Sequence, residues 1–358
     1  MRPRRSDLVA TVLAEPARLL QLGLPEWDLL IRQSRSADLL ARIAALLNKR
    51  ALLDRVPEGP RAALIAAQIM AKAQQDEVRR ELAHVSEALQ SLAVPIVLLK
   101  GAAYLMAGLP AALGRTFTDV DVLVPRDRLA EVEAALMLAG WATMHNSEYD
   151  QAYYRRWMHE LPPMQHIRRQ TVLDVHHAIL PSTSRAQPKS SKLFAAARSV
   201  EGVPRLHVLA PPDMVLHSMS HLFHNDDLSH GLRDLSDLDL LLRHFNAIDG
   251  FWEQLVERAK ELDLRRPLYY GLYQAQRVFQ TPVPAITLQR SRTFAPPWPL
   301  RSAMDWLWAG ALRTPHPTTA GLLSALGSSA LYVRAHWLRM PPRLLARHLL
   351  VKATVRRP

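Results

Sequence analysis

Apolar positions recur at helical spacing through the first quarter of the chain. Leu39, Leu40, Ile43, Ala44 and Leu47 share one face of a 3.6-residue period, and a second stripe runs through Leu64, Ile65, Ile69, Val78, Leu82, Val85 and Leu89. Pro57 and Pro60 punctuate the two stretches, so residues 6–93 read as helices. The pattern then shortens and alternates, predicting a strand at 96–99, a helix at 102–107, a strand at 120–124 and a helix at 128–138 with Asp127 as its N-cap. A strand near 141–144 and a hairpin of 164–168 with 172–176, turning at Arg169-Gln170, complete this stretch. The Ser- and Pro-rich run PSTSRAQPKSSK marks 181–203 as loop. Helical periodicity returns at 211–224, 232–245, 251–262 and 267–279. The expected class is therefore α+β. A small mixed sheet at 94–180 is flanked by an N-terminal helical region at 1–93 and a C-terminal helical domain at 211–284, with a linker at 181–210 and a tail at 285–358.

Composition narrows the picture. The chain has 358 residues, 49% hydrophobic and 22% charged, which is a globular balance with room for two domains. Cysteine is absent, so disulfides, thiolate metal sites and a Cys nucleophile are excluded, and metal ligands must be carboxylate or imidazole. That usage fits a reducing cytosol, and a cytoplasmic location is expected. Asp7, Glu15 and Arg18 interrupt any signal-peptide core near the start, and the longest apolar candidate, 320–333, is short and closes with Arg334.

The net charge of +12 is unevenly placed. From Arg290 onward there are eleven Lys or Arg and one acid, Asp305. Trp337 with Arg334 and Arg339, followed by LLARHLLVKATVRRP, reads either as a basic amphipathic helix for RNA or an anionic membrane surface, or as a terminal helix packed on the C-terminal domain with its arginines in solvent.

The segment VLLKGAAYLMAGLPAALGRTFTDVDVLV, residues 97–124, carries the chemistry. Strand side chains alternate, so Asp119 and Asp121 project together while Val120, Val122 and Val124 face the other way. Two adjacent carboxylates are costly to bury without a cation, and Mg²⁺ is commonly held by one or two carboxylates together with substrate phosphates. Gly101 turns into a helix, so its backbone and the N–H groups of Ala102 and Ala103 could meet phosphate oxygens, with Lys100 and Arg115 as cationic partners. Both cations have plainer readings: Lys100 as a solvated strand end, Arg115 as a screen for the acidic pair. On LDVHH, Asp174 and His176 share a strand face.

Elsewhere, His217, His221 and His224 lie at i, i+4 and i+7 of a helix, a formal zinc spacing that an ordinary core-edge cluster explains better, given Met219 and Leu222 between them. Arg233 and Asp237, at i and i+4, read by default as a surface ion pair.

The order of strand, Gly turn, helix and Asp-x-Asp strand resembles the nucleotidyltransferase superfamily of DNA polymerase β and kanamycin nucleotidyltransferase. LLKG, with Arg115 shortly before TDVDVLV, is closer to the bacterial family of uncharacterised nucleotidyltransferases. LDVHHAIL resembles that family's second acidic strand, and HSMSHLFH followed by GLRDLSDLDLLL resembles its C-terminal helical part, so the likeness runs from Trp27 to Pro284. It implies a transferase that moves a nucleoside monophosphate from an NTP to an acceptor hydroxyl and releases pyrophosphate. Asp119, Asp121 and Asp174 would hold Mg²⁺, or Mn²⁺, as a pair of ions about 4 Å apart, with Asp174 also serving as base. Lys100, Gly101, Ala102 and Arg115 would steady the phosphates, and His176 would contact the acceptor or pack beside Asp174. The chain departs from the wider superfamily in having Gly101-Ala102 where Gly-Ser is frequent, which removes a hydroxyl from the phosphate turn. The acceptor stays open among a small molecule, a sugar or lipid-linked intermediate, an RNA end and a protein side chain. The competing reading is an inactive transferase scaffold docking on RNA or membrane through its basic tail.

Overall fold

The computed structural model describes residues 7–144, 148–203 and 205–341. Ahead of the sheet, the periodic stretches form α1 (Leu8–Ala14), α2 (Leu24–Ser36), α3 (Leu40–Lys49) and the long α4 (Glu58–Ala88). Asp7 caps α1 by accepting from the Ala10 N–H, and Glu26 reaches back to the Gly23 N–H at the start of α2. Pro57 precedes α4, whose buried side is Leu64, Val78, Leu82 and Val85. Ile65 and Ile69, expected in that stripe, point outward at 41% and 65% exposure, because α4 packs along a narrower seam than its apolar residues suggest.

The sheet follows with β1 (Ile96–Leu98), α5 (Lys100–Met106), β2 (Val120–Leu123), α6 (Leu129–Leu138), β3 (Trp141–Thr143), α7 (Glu148–Trp157), β4 (Met164–His166) and β5 (Val172–His176). After these come α8 (Ser190–Ala196), β6 (Arg198–Ser199) and β7 (Leu206–Val208). Its seven strands run β3-β4-β5-β2-β1-β7-β6, with β2 parallel to β5, β1 parallel to β7 and the other neighbours antiparallel. β1 and β2 lie in the middle, and every residue of both is buried, as a two-sided strand requires. The hairpin of β4 and β5 turns through Gln170, which takes a left-handed φ of 61°.

Two expectations are corrected here. Residues 181–210 are not only a linker: β7 closes the sheet beside β1, a strand of three residues being too short to show a period. Asp127 is not an N-cap, because it lies inside a 3₁₀ turn (Arg126–Arg128) and Arg128 occupies the cap position of α6.

The C-terminal part is helical: α9 (Pro211–His224), α10 (Gly231–Phe245), α11 (Phe251–Glu261) and α12 (Arg265–Phe279). It continues with α13 (Ala285–Arg292), α14 (Trp298–Ala311) and α15 (Leu322–Arg339), so much of the expected tail is folded. Trp308 of α14 is buried edge-on against Phe223 of α9. The arginines of α15 do not sit in solvent either. Arg334 donates to the Phe223 carbonyl, and Arg339 donates to the His224 carbonyl and pairs with Asp226 at 2.8 Å, because α15 packs across the end of α9. Arg343, Arg347, Lys352, Arg356 and Arg357 lie outside the described residues. No described helix is long and apolar enough to cross a membrane.

One buried ion cluster joins all three parts of the chain. Asp237 of α10 forms an ion pair with Arg42 of α3 at 2.6 Å and accepts a hydrogen bond from Arg115, between α5 and β2, at 2.9 Å. The surface pair expected between Arg233 and Asp237 is thereby replaced. Arg233 turns to Asp234 and Asp38, leaving Asp237 to two arginines brought in from elsewhere in the sequence.

Candidate active site

The parallel register of β2 and β5 sets Asp121 directly beside Asp174 and Leu123 beside His176. Register partners share a sheet face and residues two apart return to it, so Asp121, Asp174 and His176 converge, with Asp119 one step before β2 on the same side. The opposite face takes Val120, Val122 and Val175 into the core. An Asp-x-Asp pattern and an LDVHH pattern, fifty residues apart, are thus brought together by one strand pairing.

Asp121 is buried and its Oδ1 is shared by two cationic partners, Lys100 Nζ at 2.7 Å and His176 Nε2 at 3.0 Å. Burial alone would raise its pKa; Lys100 and His176 overcome that and hold it well below the usual carboxylate range. Lys100 follows β1 in a left-handed backbone (φ 45°), a conformation that costs a β-carbon-bearing residue about 1–3 kcal/mol and concentrates at functional sites. Burial would lower the Lys100 pKa, but the charges of Asp121 and then Asp119 keep it above its ordinary value.

The remaining acids are less well compensated. Burial, then the neighbouring Asp121 charge, pushes Asp119 up. Burial, followed by the charges of Asp121 and Glu160, pushes Asp174 up to about 7, and its buried Oδ1 has no hydrogen-bond partner. Four carboxylates, Asp119, Asp121, Asp174 and Glu160, therefore face one ammonium and one imidazole.

Glu160 and His159 are members of the site that the sequence reasoning missed. A lone bridge to His176 lays residue 160 against the end of β5, and Glu160 Oε2 lies 3.2 Å from His176 Nδ1. Burial opposes protonation of His176, yet the Glu160 charge and the Asp121 hydrogen bond hold its pKa above the ordinary value. His159 is pushed well down, by burial and then by His176. The pair sits in MHELPP, which has neither alternation nor helical spacing, so no sequence signal marks it.

One donor set is compact enough to hold a cation. His159, Glu160 and His176 are the one group among the described residues whose ligand atoms all lie within 4.8 Å of one another. Asp119, Asp121 and Asp174 do not come as close together as that group; they offer only carboxylate oxygens, the chemistry Mg²⁺ takes, and the raised pKa of Asp174 reflects burial and the charges of Asp121 and Glu160 beside it.

The expected phosphate group divides. Lys100 is among the carboxylates. Arg115 is not free for phosphate: its guanidinium is buried on Asp237 and acts on Asp119 only through its charge. Gly101 is needed for that arginine, since a β-carbon there would collide with the Arg115 guanidinium and the Phe117 ring. Ala102 lies in the first turn of α5, where its N–H precedes the first intrahelical donor; Ala103, also expected at phosphate, donates to the Leu99 carbonyl instead.

α9 packs against α5, near Lys100. Burial and then the Lys100 charge push His217 down to about 3, and the same causes hold His221 well below its ordinary value. His221 Nε2 lies 3.8 Å from Asp234, and His224 Nδ1 bonds the Ser220 carbonyl one turn back, so the three histidines serve different neighbours.

The model of the family described as uncharacterised nucleotidyltransferase matches residues 24–280. The chain belongs to that family. The nucleotidyltransferase also matches the crystal structure of an antigenic nucleotidyltransferase-like protein from Paracoccidioides brasiliensis at 15% identity, over 57% of this chain and 97% of that one, with a TM-score of 0.29. No curated protein matches the nucleotidyltransferase at significant similarity. Its α+β fold, with a mixed sheet between helical regions, is the one expected from the resemblance.

Proposed function

We propose that this nucleotidyltransferase moves a nucleoside monophosphate from an NTP to an acceptor hydroxyl, with Asp119, Asp121 and Asp174 as its Mg²⁺ ligands. The observation that carries the reading is the in-register pairing of Asp121 with Asp174 around a buried carboxylate oxygen that lacks a partner. Mg²⁺ or Mn²⁺, when bound there, neutralises the triphosphate and makes the acceptor hydroxyl easier to deprotonate. The acceptor oxygen attacks the α-phosphorus, the bond to pyrophosphate breaks, and the hydroxyl proton passes to Asp174. Lys100 supplies the cation for the phosphates, with the Gly101 and Ala102 N–H groups as backbone donors. Arg115 acts at a distance: through Asp237 it fixes the turn between α5 and β2 that delivers Asp119. His176 orients Asp121 and is oriented in turn by Glu160.

The test is to incubate the protein with each NTP, Mg²⁺ and a cell extract, following pyrophosphate release and nucleotide mass adducts. The wild type should produce both and Asp119→Asn neither. Turnover that survives Asp119→Asn, or no NTP-dependent pyrophosphate with any donor, would remove the proposal. The adduct's mass would also identify the acceptor.

A further inference from the structure

Several buried or half-buried arginines in this protein come with carboxylates. Arg42 and Arg115 share Asp237, Arg258 pairs with Asp213, and Arg339 pairs with Asp226. Half-buried Arg334 does not, and it stands beside the exposed Arg185, Arg265 and Arg266. A cavity of about 710 Å³ between α9, α12, α15 and the turn after α13 is lined by Arg185, Lys260, Arg265, Arg266 and Arg334, with Asp263 as the one acid among its lining residues. Among the described residues, no ion pair joins Arg185, Arg265, Arg266 or Arg334 to a carboxylate; Lys260 alone has one, with Glu257.

Arg334 is the deepest of the four. It donates to the Phe223 carbonyl at 2.8 Å and lies over the Tyr270 and Trp308 rings, each 5.6 Å from its centre. Burial lowers its pKa, and the Arg266 charge adds to that. Arg185 stands over the Trp337 ring at 5.0 Å. Like charges gathered beside low-dielectric walls repel strongly unless an anion joins them. Arg265 and Arg266 also open α12, whose positive end favours the same charge. The rest of the lining is apolar and aromatic, with Phe223, Tyr270 and Phe294 beside Pro267 and Leu338.

We propose that this cavity binds a small molecule that carries a phosphate group on an apolar or aromatic body. The arginines would take the phosphate by paired hydrogen bonds, and the aromatic wall would take the body. The volume lies in the range of small-molecule sites. The site is separate from the carboxylate cluster. His217 and His221 of α9 sense Lys100 and Asp121, whereas His224 lines this cavity, about 10 Å further along the helix from His217 at 1.5 Å per residue. The inference stands whether or not the transferase reading holds.

Trp308 and Trp337, under Arg334 and Arg185, make the site readable by fluorescence. Phenyl phosphate, inorganic phosphate and phenol are titrated into the full chain in EDTA, which removes divalent cations from the carboxylate cluster, with calorimetry as a second readout. Phenyl phosphate should bind about tenfold tighter than phosphate, and phenol should not bind measurably. Arg265→Glu with Arg266→Glu, both exposed, should weaken phenyl phosphate about tenfold or more with an unchanged circular dichroism spectrum. Arg185→Glu, on a different segment, should do the same and covers the case in which the double variant misfolds. Equal binding in the charge-reversed variants, no binding at about 10 mM probe, or binding only to RNA or anionic vesicles would each overturn the proposal.

Discussion

Asp121 and Asp237 are both buried, and each is held by two cationic side chains, yet the two clusters are built for different ends. Around Asp237 one carboxylate meets two guanidiniums with permanent charge, and each arginine also reaches a backbone carbonyl, Ala111 for Arg42 and Thr116 for Arg115. Around Asp121 the balance is reversed, with three further carboxylates and only Lys100 and a titratable histidine to answer them. An over-supplied positive cluster with its donors used is a clasp between segments. An over-supplied negative cluster waits for a cation. Burial and ion pairing do not separate the two; the sign of the uncompensated charge does.

Substitutions at the two aspartates should therefore fail in different assays. Asp121→Asn is expected to cut nucleotidyl transfer by about 10²–10³-fold or more, read as pyrophosphate release under saturating NTP. Asp237→Ala should instead cost about 3–5 kcal/mol of stability in urea unfolding, because it leaves Arg42 and Arg115 buried without a counter-charge. If Asp237→Ala proved as stable as wild type, the clasp would be wrong. Gly101→Ala tests the same seam more gently. The new methyl group must displace the Arg115 guanidinium or the Phe117 ring, for a loss of about 1–3 kcal/mol. A neutral result would show that the seam can relax.

The smallest expected effect distinguishes the clusters by pH. Asp237 has a lowered pKa, so its contribution is present above about pH 4, the ordinary carboxylate value, and is lost as pH falls through the lower folded value. Asp174, raised to about 7, has the opposite sign. Between about pH 4 and its folded value the native state holds a proton that the unfolded chain has released, so stability falls as pH rises across that window. In EDTA, wild type should therefore lose about 1–2 kcal/mol more than Asp174→Asn between pH 5 and pH 8. Parallel curves for the two proteins would mean that Asp174 is not strained.

Much of this was legible in the sequence, for a physical reason. Long elements repeat their period often enough to be read, and α9, α10 and α12 lie within two residues of their expected bounds. The placing of Asp121 beside Asp174 was within reach of the sequence because alternation on two strands puts like side chains on one face, and the register had only to align them. Three kinds of feature were not legible. β7 is too short to carry a pattern. Glu160 and His159 reach the site through an isolated bridge outside any regular strand. Arg115 sits in the expected place along the chain, but its partner, Asp237, lies over a hundred residues away, and sequence spacing suggested Arg233 for that aspartate instead.

β7 has a practical consequence for anyone dissecting the molecule. β1, which leads into Lys100, is paired on one side by β2 and on the other by residues 206–208. A fragment trimmed at residue 180 would leave a hydrophobic inner strand with a row of bare peptide groups, an invitation to stack against other copies. The minimal soluble piece therefore has to include the chain as far as β7, even though the carboxylates it would be made to study all precede residue 177.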